Sequence, residues 1–498
     1  MNIWHEYVKV LLGVLFKSGI IRLVVFCRIE STHDRDGGDG ELSLADNACA
    51  VILAAGNGKR MVSGKAKIFC EILFKPLVCW VFENCKQTAI RNICLVCSNE
   101  GLHNLKQSLG NDIQYVVQKE KLGSAHAVAQ ADLFLRSCGK EDVLILLGDV
   151  PFVNAETIES AYREHKADNN EVTVIAAEKD KPFGYGRIVR SSGQIIIVEE
   201  TEATNEQRAI KLVNSGAMWF NIQALLSVLG KIDNNNANGE YYITTAVNLL
   251  SRVGCFIAQG HIILGVNTNE QLFELNQIVR EKIIAKHSRN GVEFLSVDGV
   301  VIGPDVDIGP GSLIFPNVIL KGRCRIGERV RITSGSFIEE SEIGAECEIK
   351  ASYIQESTVG RRVQIGPFAH LRQRCRIADD VRIGNYVEIK NSEVGAETRI
   401  AHLGYVGDCN MGKQVNFGCG SIVVNYDGKQ KHQTKIEDGA FIGCNSNLVA
   451  PVTIGKGAFV AAGSTISENL GEGDFAIARA RQTTKAGYMN KKKGEDRT

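Results

Sequence analysis

A glycine-rich segment with basic residues is the first part of the chain that could do chemistry. Gly56-Asn-Gly-Lys-Arg-Met61 follows a short apolar run, and Lys67 lies a few residues further on. The two glycines let the backbone approach a phosphate closely, and Lys59, Arg60 and Lys67 can neutralise its charge. Because the segment is neither the six-position dinucleotide fingerprint nor a P-loop, its residues alone indicate only a phosphate-binding turn.

A carboxylate follows a second apolar run. Asp149 lies in Gly148-Asp-Val-Pro151, directly after the run Val143–Leu147. A loop beyond a buried strand is the usual place for a ligand site in an α/β domain. The structural alternative is that Asp149 only forms the turn before Pro151.

The C-terminal part has a candidate base. His402 begins the segment His402-Leu-Gly-Tyr405-Val-Gly-Asp408, which lies where a regular repeat is interrupted. Histidine is the side chain best suited to accept a proton near pH 7. His370 and His432 are nearby alternatives, and the structural alternative for each is a solvated or packing role.

The first two candidates need a parallel sheet to position them. Apolar runs at Ala50–Ala55, Ile93–Cys97 and Val143–Leu147 alternate with helix-prone stretches, one of which follows Lys75-Pro76. This alternation predicts a doubly wound (Rossmann-like) α/β domain. Ligands of such domains bind beyond the carboxyl ends of the strands, where both candidates lie.

The third candidate lies within a six-residue repeat of isoleucine, valine or leucine. Three series carry it: Ile302, Ile308, Ile314, Leu320, Ile326, Ile332 and Ile338; Val359, Ile365, Leu371, Ile377, Ile383 and Ile389; and Ile436, Ile442, Leu448, Ile454, Val460 and Ile466. A period of six fits neither a helix nor a single strand, but it fits a coil of three short strands. Stacked coils of this kind form a parallel β-helix. An unusually regular β-sandwich is the alternative.

The repeat is interrupted where a binding site is expected. Its phase slips between Ile389 and Ile400 and again between Val406 and Phe417, and a loop at 425–434 precedes Ile436. Insertions in a solenoid collect on one face and often build the binding site. We therefore expect the ligand of this domain to bind around His402.

Composition excludes several classes of partner. Lys+Arg and Asp+Glu both number 57, so no net field favours nucleic acid or a membrane surface. The 15 cysteines are scattered and odd in number, which favours a reducing cytoplasm over a disulfide framework. Cys94 and Cys97 lie in a predicted strand and point to opposite faces, so we interpret them as core residues and not as a redox or metal pair.

The pattern divides the chain into five parts. An N-terminal extension covers 1–46, the α/β domain 47–269, a linker helix 270–296, the repeat domain 297–488 and a basic tail 489–498. Lys9, Lys17 and Arg22 interrupt the apolar stretch of the extension, so a stable membrane insertion is not expected. A poorly ordered extension is favoured over a helix that lies on a membrane surface.

Leu53-Ala-Ala-Gly-Asn-Gly-Lys-Arg-Met61 followed by Lys67 resembles the opening motif of the sugar-nucleotide pyrophosphorylases. Matching segments follow in the family's order, including the distinctive run 235–244, and the resemblance continues through the repeat domain to about residue 488. The chain thus resembles the bacterial family of bifunctional uridyltransferase/acetyltransferases. That resemblance implies a left-handed β-helix, a homotrimer and acetyl sites between subunits.

The resemblance also implies a role for each matching residue. Lys67 and Arg60 would steady the phosphates, while Asp149 and Asn267 would hold Mg²⁺. The expected uridyl site comprises Leu53, Ala54, Ala55, Gly56, Lys67, Gln118, Gly123, Ser124, Leu147, Gly148, Asp149, Gly186, Glu199, Asn214 and Asn267. In the repeat domain His402 would be the base, with Arg372, Lys390, Tyr405 and Asn416 around the sugar phosphate. Acetyl-CoA, the co-substrate, would meet Cys419, Asn425, Tyr426, Cys444, Ala462 and Arg479.

The implied function is the synthesis of UDP-N-acetylglucosamine. Acetyl-CoA would acetylate glucosamine-1-phosphate, and UTP would then react with N-acetylglucosamine-1-phosphate and release pyrophosphate. Three alternatives are an acetyltransferase with an impaired uridyl site, a non-catalytic scaffold of the same plan, and a pyrophosphorylase for another sugar. The joint presence of Lys67, Asp149, Asn267 and His402 disfavours the scaffold.

Some residues depart from the family pattern. Lys59, Ala66, Lys121 and Leu147 differ around the nucleotide, so the uridyl activity is the one at risk. Cys419 and Cys444 replace a small residue and a serine near the expected coenzyme, a further departure. We predict that thiol-alkylating reagents inhibit acetyl transfer because of these two cysteines; full activity after both are modified would contradict this.

Overall fold

The computed structural model describes residues 44–56, 66–191, 193–259, 265–266 and 268–489. Three predicted site residues, Lys59, Arg60 and Asn267, lie outside the described residues, as do most of the N-terminal extension and almost all of the basic tail. Among the residues described, no helix is both long and apolar enough to cross a bilayer.

The N-terminal domain is built on a mixed sheet. Its strands are β1 (Ala48–Ala54), β2 (Glu71–Ile72), β3 (Lys75–Pro76), β4 (Asn92–Cys97), β5 (Gln114–Val117), β6 (Asp142–Leu147), β7 (Val172–Glu178), β8 (Arg187–Ser191), β9 (Gln194–Val198), β10 (Leu212–Asn221) and β11 (Val253–Ile257). The main sheet has the order β11-β7-β10-β6-β1-β4-β5, and β8 and β9 extend from β10. β1 pairs in parallel with β4 and β6, whereas β10 is antiparallel to both its neighbours.

Helices cover both faces of this sheet, as predicted for a doubly wound domain. They are α1 (Leu44–Asn47), α2 (Leu77–Gln87), α3 (Leu102–Leu109), α4 (Ser124–Gln130), α5 (Asp132–Ser137), α6 (Ala155–Ala167), α7 (Asn205–Arg208), α8 (Ile222–Leu229) and α9 (Ile243–Leu249). A 3₁₀ turn spans Lys67–Phe69. Phe82 and Ile158 fill the core on one face, and Val128 and Leu225 fill the core on the other. Cys94 and Cys97 are fully buried on opposite faces, which confirms their packing role.

A long helix, α10 (Asn269–Arg289), joins the two domains. Thr268 caps its first turn, because the hydroxyl oxygen accepts a hydrogen bond from the Gln271 amide at 3.2 Å. Leu275 and Val279 are buried against Leu77 and Val266 of the N-terminal domain. The helix is therefore fixed to the domain that it leaves.

The C-terminal domain is a parallel β-helix with three faces. Face 1 contains Glu293–Phe294, Leu313–Ile314, Arg331–Ile332, Glu348–Ile349, Gln364–Ile365, Asn416–Phe417, Phe441–Ile442, Phe459–Val460 and Phe475–Ala476. Face 2 contains Val301–Ile302, Ile319–Lys321, Phe337–Glu339, Tyr353–Gln355, His370–Arg372, Ile422–Val424, Asn447–Val449 and Thr465–Ile466. Face 3 contains Asp307–Ile308, Arg325–Ile326, Glu342–Ile343, Thr358–Val359, Arg376–Ile377, Glu393–Val394, Cys409–Met411, Thr434–Ile436 and Val452–Ile454.

Every residue of the three predicted apolar series is buried inside this coil. The structure adds the inward residues that the six-residue count leaves out: Ile343, Ile349 and Ile354 between the first two series, and Val394 and Met411 at the two predicted phase slips. Several steps between inward residues are five residues long instead of six. The coil tolerates this because a turn at a corner can lose one residue while the strands keep their register.

Two strands of nine residues turn the corner between face 1 and face 2. They are Arg382–Lys390 and Arg399–Gly407, and they pair in parallel with Asn385 opposite His402. The predicted base therefore lies at a corner, directly above an asparagine of the preceding coil.

Candidate functional sites

Asp149 lies at the carboxyl edge of the N-terminal sheet, beside the end of β1. The Gly148 amide donates a hydrogen bond to the Leu53 carbonyl oxygen at 2.9 Å, which holds the loop after β6 against Ala54. A Cβ atom at Gly148 would lie only 3.0 Å from that oxygen, so the close approach favours glycine. The structure thus brings the glycine loop's first residues and Asp149 to one edge.

Lys67 reaches the same carboxylate. Its ammonium Nζ forms an ion pair with Asp149 Oδ2, and both side chains are largely buried. On the other side, the Val266 amide lies 3.4 Å from the Asp149 carbonyl oxygen. The described residues 265–266 therefore lie beside the loop that carries Asp149.

Gln118 is a buried residue of the predicted uridyl site, close in sequence to the predicted site residues Gly123 and Ser124. Its Nε2 lies 3.2 Å from the Gly123 carbonyl oxygen and 2.9 Å from His126 Nδ1, and its side chain is 3% exposed. The carbonyl oxygen can only accept a hydrogen bond, so this end of the amide is the nitrogen. Among the described residues, Oε1 has no hydrogen-bond partner and remains for a ligand.

A second segment holds the loop at 122–125 in place. The Tyr241 amide donates to the Leu122 carbonyl oxygen at 2.8 Å, and the Ile243 amide donates to Ser124 Oγ at 2.9 Å. Gly123 has φ +120°, and a Cβ there would lie 2.5 Å from the Tyr241 carbonyl oxygen. The distinctive run 235–244 is therefore a support for the predicted nucleotide loop.

Glu199, Gly186 and Asn214 meet on the sugar side of the sheet edge. A Cβ atom at Gly186 would lie 3.4 Å from Glu199 Oε2, and the Asn214 amide donates to the Gly186 carbonyl oxygen at 2.9 Å. Burial raises the pKa of Glu199, and the Thr244 hydroxyl, which donates to Oε1 at 2.8 Å, opposes that shift. Leu147 packs against Gly216 close by.

The predicted acetyl-site residues include a column along one corner of the β-helix. Each member lies two residues after the paired inward positions Ile383, Ile400, Phe417, Ile442 and Val460. From one coil to the next, these positions are Asn385, His402, Cys419, Cys444 and Ala462. Cys419 and Cys444 are exposed, in contrast to the other described cysteines, which are buried or half-buried.

His402 is exposed, and its ring orientation is fixed from below. Nδ1 lies 2.7 Å from Asn385 Oδ1. An amide oxygen only accepts, so Nδ1 carries the proton and Nε2 keeps its lone pair. The corner therefore presents an imidazole whose outer nitrogen can take a proton.

Asp408 organises the polar groups next to this corner. It accepts hydrogen bonds from Asn391 Nδ2 at 2.6 Å and from Asn425 Nδ2, and Lys390 Nζ lies 3.7 Å away. Burial alone would raise the pKa of Asp408, but the two amides and the ammonium outweigh it and hold the pKa low. The nearby Lys431 ammonium and burial lower the pKa of Lys390.

The remaining predicted residues surround the same region. Arg372 lies next to Lys390 in register and binds Glu388 through Nη2 at 2.7 Å. Asn416 pairs with Arg399 of the preceding coil. Gly407 has no side chain, and this leaves space for the Tyr405 hydroxyl beside Asn425. The exposed Tyr426 begins the loop, and the Arg479 side chain lies against Gly463, next to Ala462.

The alternative histidines make other contacts. His432 Nε2 lies 2.7 Å from Asp427 Oδ2 inside the 425–434 loop. His370 lies on face 2, 3.4 Å from Gln355, and burial lowers its pKa. Neither lies in the corner column.

Sequence reasoning missed four residues that position the others, namely Asn385, Asn391, His126 and Lys431. Asn385 lies 17 residues before His402, one short of three six-residue steps, so counting the repeat back from His402 does not find it and only the strand register does. The contact of His126 with Gln118 depends on a loop conformation and has no sequence signal.

Known proteins match the chain along nearly all of the described part. The nucleotidyl transferase family model matches residues 49–280, a GMPPB C-terminal domain model matches 296–402, and the bacterial transferase hexapeptide model (six repeats) matches 433–468. The bifunctional protein GlmU of Geobacillus sp. (strain WCH70) is 43% identical over 450 residues, which is 89% of this chain and 97% of that protein. The bifunctional protein GlmU of Halalkalibacterium halodurans is 43% identical over 454 residues, or 90% and 99%.

Proposed function

The chain belongs to the family of bifunctional GlmU proteins, and we propose that its two sites perform the two steps of the family with the residues described above. It is an enzyme that makes UDP-N-acetylglucosamine. Acetyl transfer from acetyl-CoA to glucosamine-1-phosphate belongs to the hexapeptide domain, and uridyl transfer from UTP to N-acetylglucosamine-1-phosphate belongs to the nucleotidyltransferase domain.

Uridyl transfer depends on position and charge. A phosphate oxygen of the sugar phosphate attacks the α-phosphorus of UTP, and pyrophosphate leaves. The nucleophile is already ionised, so no protein base is required, and catalysis rests on in-line alignment and charge neutralisation. Lys67 would neutralise the phosphates, with Arg60 as its predicted partner. Gln118, Gly123 and Ser124 would hold the base, and Gly186, Glu199 and Asn214 the sugar.

The predicted ligands fit Mg²⁺. Asp149 supplies a carboxylate and Asn267 would supply an amide oxygen, and a magnesium ion usually takes only one or two protein ligands beside substrate phosphates. When bound, the ion would neutralise the charge that develops on the phosphates.

Acetyl transfer requires a base at the corner column. His402 Nε2 accepts the proton as the sugar amine attacks the thioester carbonyl, and the departing thiolate of coenzyme A takes that proton. Lys390 and Arg372 would bind the sugar phosphate. Arg479 suits the coenzyme phosphates, and Cys419, Cys444 and Ala462 line its path along the column.

We also propose a homotrimer that works in the cytoplasm. Leu403, Ile422, Val424 and Tyr426 are large, exposed residues beside the acetyl site, and a second copy packed against them would complete it. Analytical ultracentrifugation of the full chain tests this assembly, since a monomer would leave these residues in water. The scattered free cysteines support the reducing compartment.

The hydrogen bond from His402 to Asn385 carries the proposal best, because it leaves a proton acceptor where the thioester is expected. The test follows both reactions of the purified full chain in parallel. One assay measures pyrophosphate from UTP, N-acetylglucosamine-1-phosphate and Mg²⁺. The other measures free thiol from acetyl-CoA and glucosamine-1-phosphate.

We expect each variant to lose one of the two activities and to keep the other. Asp149→Ala should abolish pyrophosphate release and leave thiol release intact, and His402→Ala should do the reverse. Uridyl inactivity of the unmodified protein with normal acetyl transfer would favour an impaired N-terminal site. Inactivity in both assays would contradict the proposal as a whole.

A further inference from the structure

A pair of cysteines lies on the N-terminal domain, away from both sites. Cys49 is the second residue of β1 and is fully buried, whereas Cys138 follows α5 and is partly exposed. The Cys138 thiol lies 3.8 Å from Cys49 Sγ, which is direct contact between the two sulfur atoms. The nucleotide site is at the opposite, carboxyl end of β1.

The backbone on either side of the pair is held in place. Lys140 Nζ donates to the Asp46 carbonyl oxygen at 2.8 Å, and the Glu141 amide donates to the Asn47 carbonyl oxygen at 2.9 Å. These hydrogen bonds attach the chain after Cys138 to the chain before Cys49. The sulfur contact is therefore built into the fold and does not depend on two mobile loops.

The two thiols differ in pKa and in exposure, as expected for a pair that can be oxidised to a disulfide. Contact with Cys49 is the main cause that lowers the pKa of Cys138 to about 6, and Lys140 helps. The thiol contact and burial raise the pKa of Cys49. The thiolate thus forms on the half-exposed sulfur, near solvent and a lysine, and the buried thiol keeps its proton.

We propose that Cys49 and Cys138 form a redox-active dithiol that a hydroperoxide converts to a disulfide. The Cys138 thiolate attacks a peroxide oxygen, the O–O bond breaks and Cys138 becomes a sulfenic acid, while the departing hydroxide takes from solvent the proton that Cys138 had released and leaves as water. Cys49 sulfur then attacks Cys138 sulfur, the S–O bond breaks, and hydroxide leaves with the Cys49 proton as a second water. Two thiols and one hydroperoxide thus give one disulfide and two waters (or an alcohol and one water), with two electrons transferred.

The disulfide would fasten the end of α5 to the start of β1. The sulfur atoms must approach from 3.8 Å to about 2.05 Å, and Cys138 has room to move because it is half-exposed and precedes Gly139. Its closure joins residues far apart in sequence, so oxidation should raise the unfolding temperature of this domain.

The test uses the full reduced chain and hydrogen peroxide, followed by alkylation of the remaining thiols and peptide mass mapping. We expect a peptide that links Cys49 to Cys138, lacks two hydrogens and is split by dithiothreitol. Cys255 is a matched internal control, because it is also half-exposed but burial raises its pKa to about 11. Cys138 should lose its free thiol at least about tenfold faster than Cys255 at pH 7.

Cys138→Ser should abolish both the linked peptide and the rise in unfolding temperature. This variant should fold, because Cys138 is not fully buried. The peptide mass mapping of the unmodified chain tests the disulfide without any variant. Oxidation of Cys138 to a sulfinic acid with Cys49 unchanged would overturn the proposal. So would equal rates for Cys138 and Cys255.

Discussion

At the scale of single residues, two proposed functional side chains depend on a neighbour for their orientation. Asn385 fixes the His402 ring from the preceding coil, and His126, together with the Gly123 carbonyl oxygen, fixes the Gln118 amide. In both pairs, the neighbour determines which atom remains for the ligand. Substitution of the neighbour should therefore change function without removing the functional group itself.

Asn385→Ala tests the first pair. Loss of the hydrogen bond to Nδ1 frees the ring to rotate and to change tautomer, so acetyl transfer should fall by roughly tenfold, the value of one hydrogen bond. His402→Ala should cost more, about 10²–10⁴-fold, because the base itself is lost. The kcat of thiol release measures both. Asn410→Ala, an exposed asparagine on face 3, should leave acetyl transfer unchanged; equal kcat for Asn385→Ala and the unmodified chain would contradict the assigned role.

His126→Phe tests the second pair through base discrimination. Gln118 Oε1 can accept a hydrogen bond from N3–H of uracil but meets the N3 lone pair of cytosine. Without the Nδ1 acceptor only the Gly123 carbonyl oxygen holds Nε2, so the amide is less firmly oriented, and the preference for UTP over CTP should drop by up to about tenfold. The ratio of kcat/KM for the two nucleotides measures this.

His126→Asn supplies an amide oxygen in place of Nδ1 and should largely restore the preference for UTP. His103→Phe, at an exposed histidine of α3, is the control. An unchanged ratio in His126→Phe would show that Gln118 is oriented without this contact.

At the scale of elements, the sites depend on close approach between segments that are distant in sequence. The nucleotide loop at 122–125 is supported by 241–243, and the acetyl corner is supported by strand pairing between coils. Where two such segments meet, one position has no space for a side chain and is occupied by glycine. These glycines therefore mark the contacts between segments on which a site depends.

Gly123→Ala should abolish uridyl transfer selectively. The added Cβ would lie 2.5 Å from the Tyr241 carbonyl oxygen and 2.6 Å from its amide nitrogen, so one segment must move. Gly110→Ala is a matched control, because Gly110 also has a positive φ, +94°, but no atom lies within 4 Å of the added Cβ. Pyrophosphate release should be lost in the first variant and retained in the second, with thiol release normal in both. Equal uridyl activity in the two variants would mean that the collision with Tyr241 does not affect the site.

The elements differ in how far sequence predicts them. The six-residue series predicts the coil because each inward residue repeats one environment, and all of the predicted positions are buried. The five-residue steps at Ile343 and Ile354 escape that count, since a shortened corner has no composition of its own. Asn385 likewise has no pattern, and only the register of the coils reveals its contact with His402.

At the scale of the whole molecule, a buried lysine links the two domains. Lys75 Nζ lies 2.8 and 2.7 Å from the two Glu83 oxygens, and 2.7 Å from Asp305 Oδ1 on the first coils of the β-helix. Lys75 is 8% exposed, and its ammonium lies over the Trp80 ring. Together with α10, this contact sets the position of one domain relative to the other.

Lys75→Met should therefore lower the free energy of unfolding by about 1–3 kcal/mol, because two carboxylates lose a buried charged partner. Lys435→Met removes the exposed ion pair with Glu437 and should cost less than about 1 kcal/mol. Denaturant unfolding compares the two variants. A larger effect at Lys435 would mean that the domain contact contributes little to stability.

The corner column has a consequence for how the acetyl site can change. Each of its positions belongs to a different coil, and a coil contacts mainly the coils next to it. A substitution at one position, such as the cysteine at Cys419 or Cys444, can therefore alter one proposed point of contact with the acyl donor while the others keep their geometry. The preference for one acyl donor over another can therefore evolve by substitutions in one coil at a time, and each variant remains a folded and active protein.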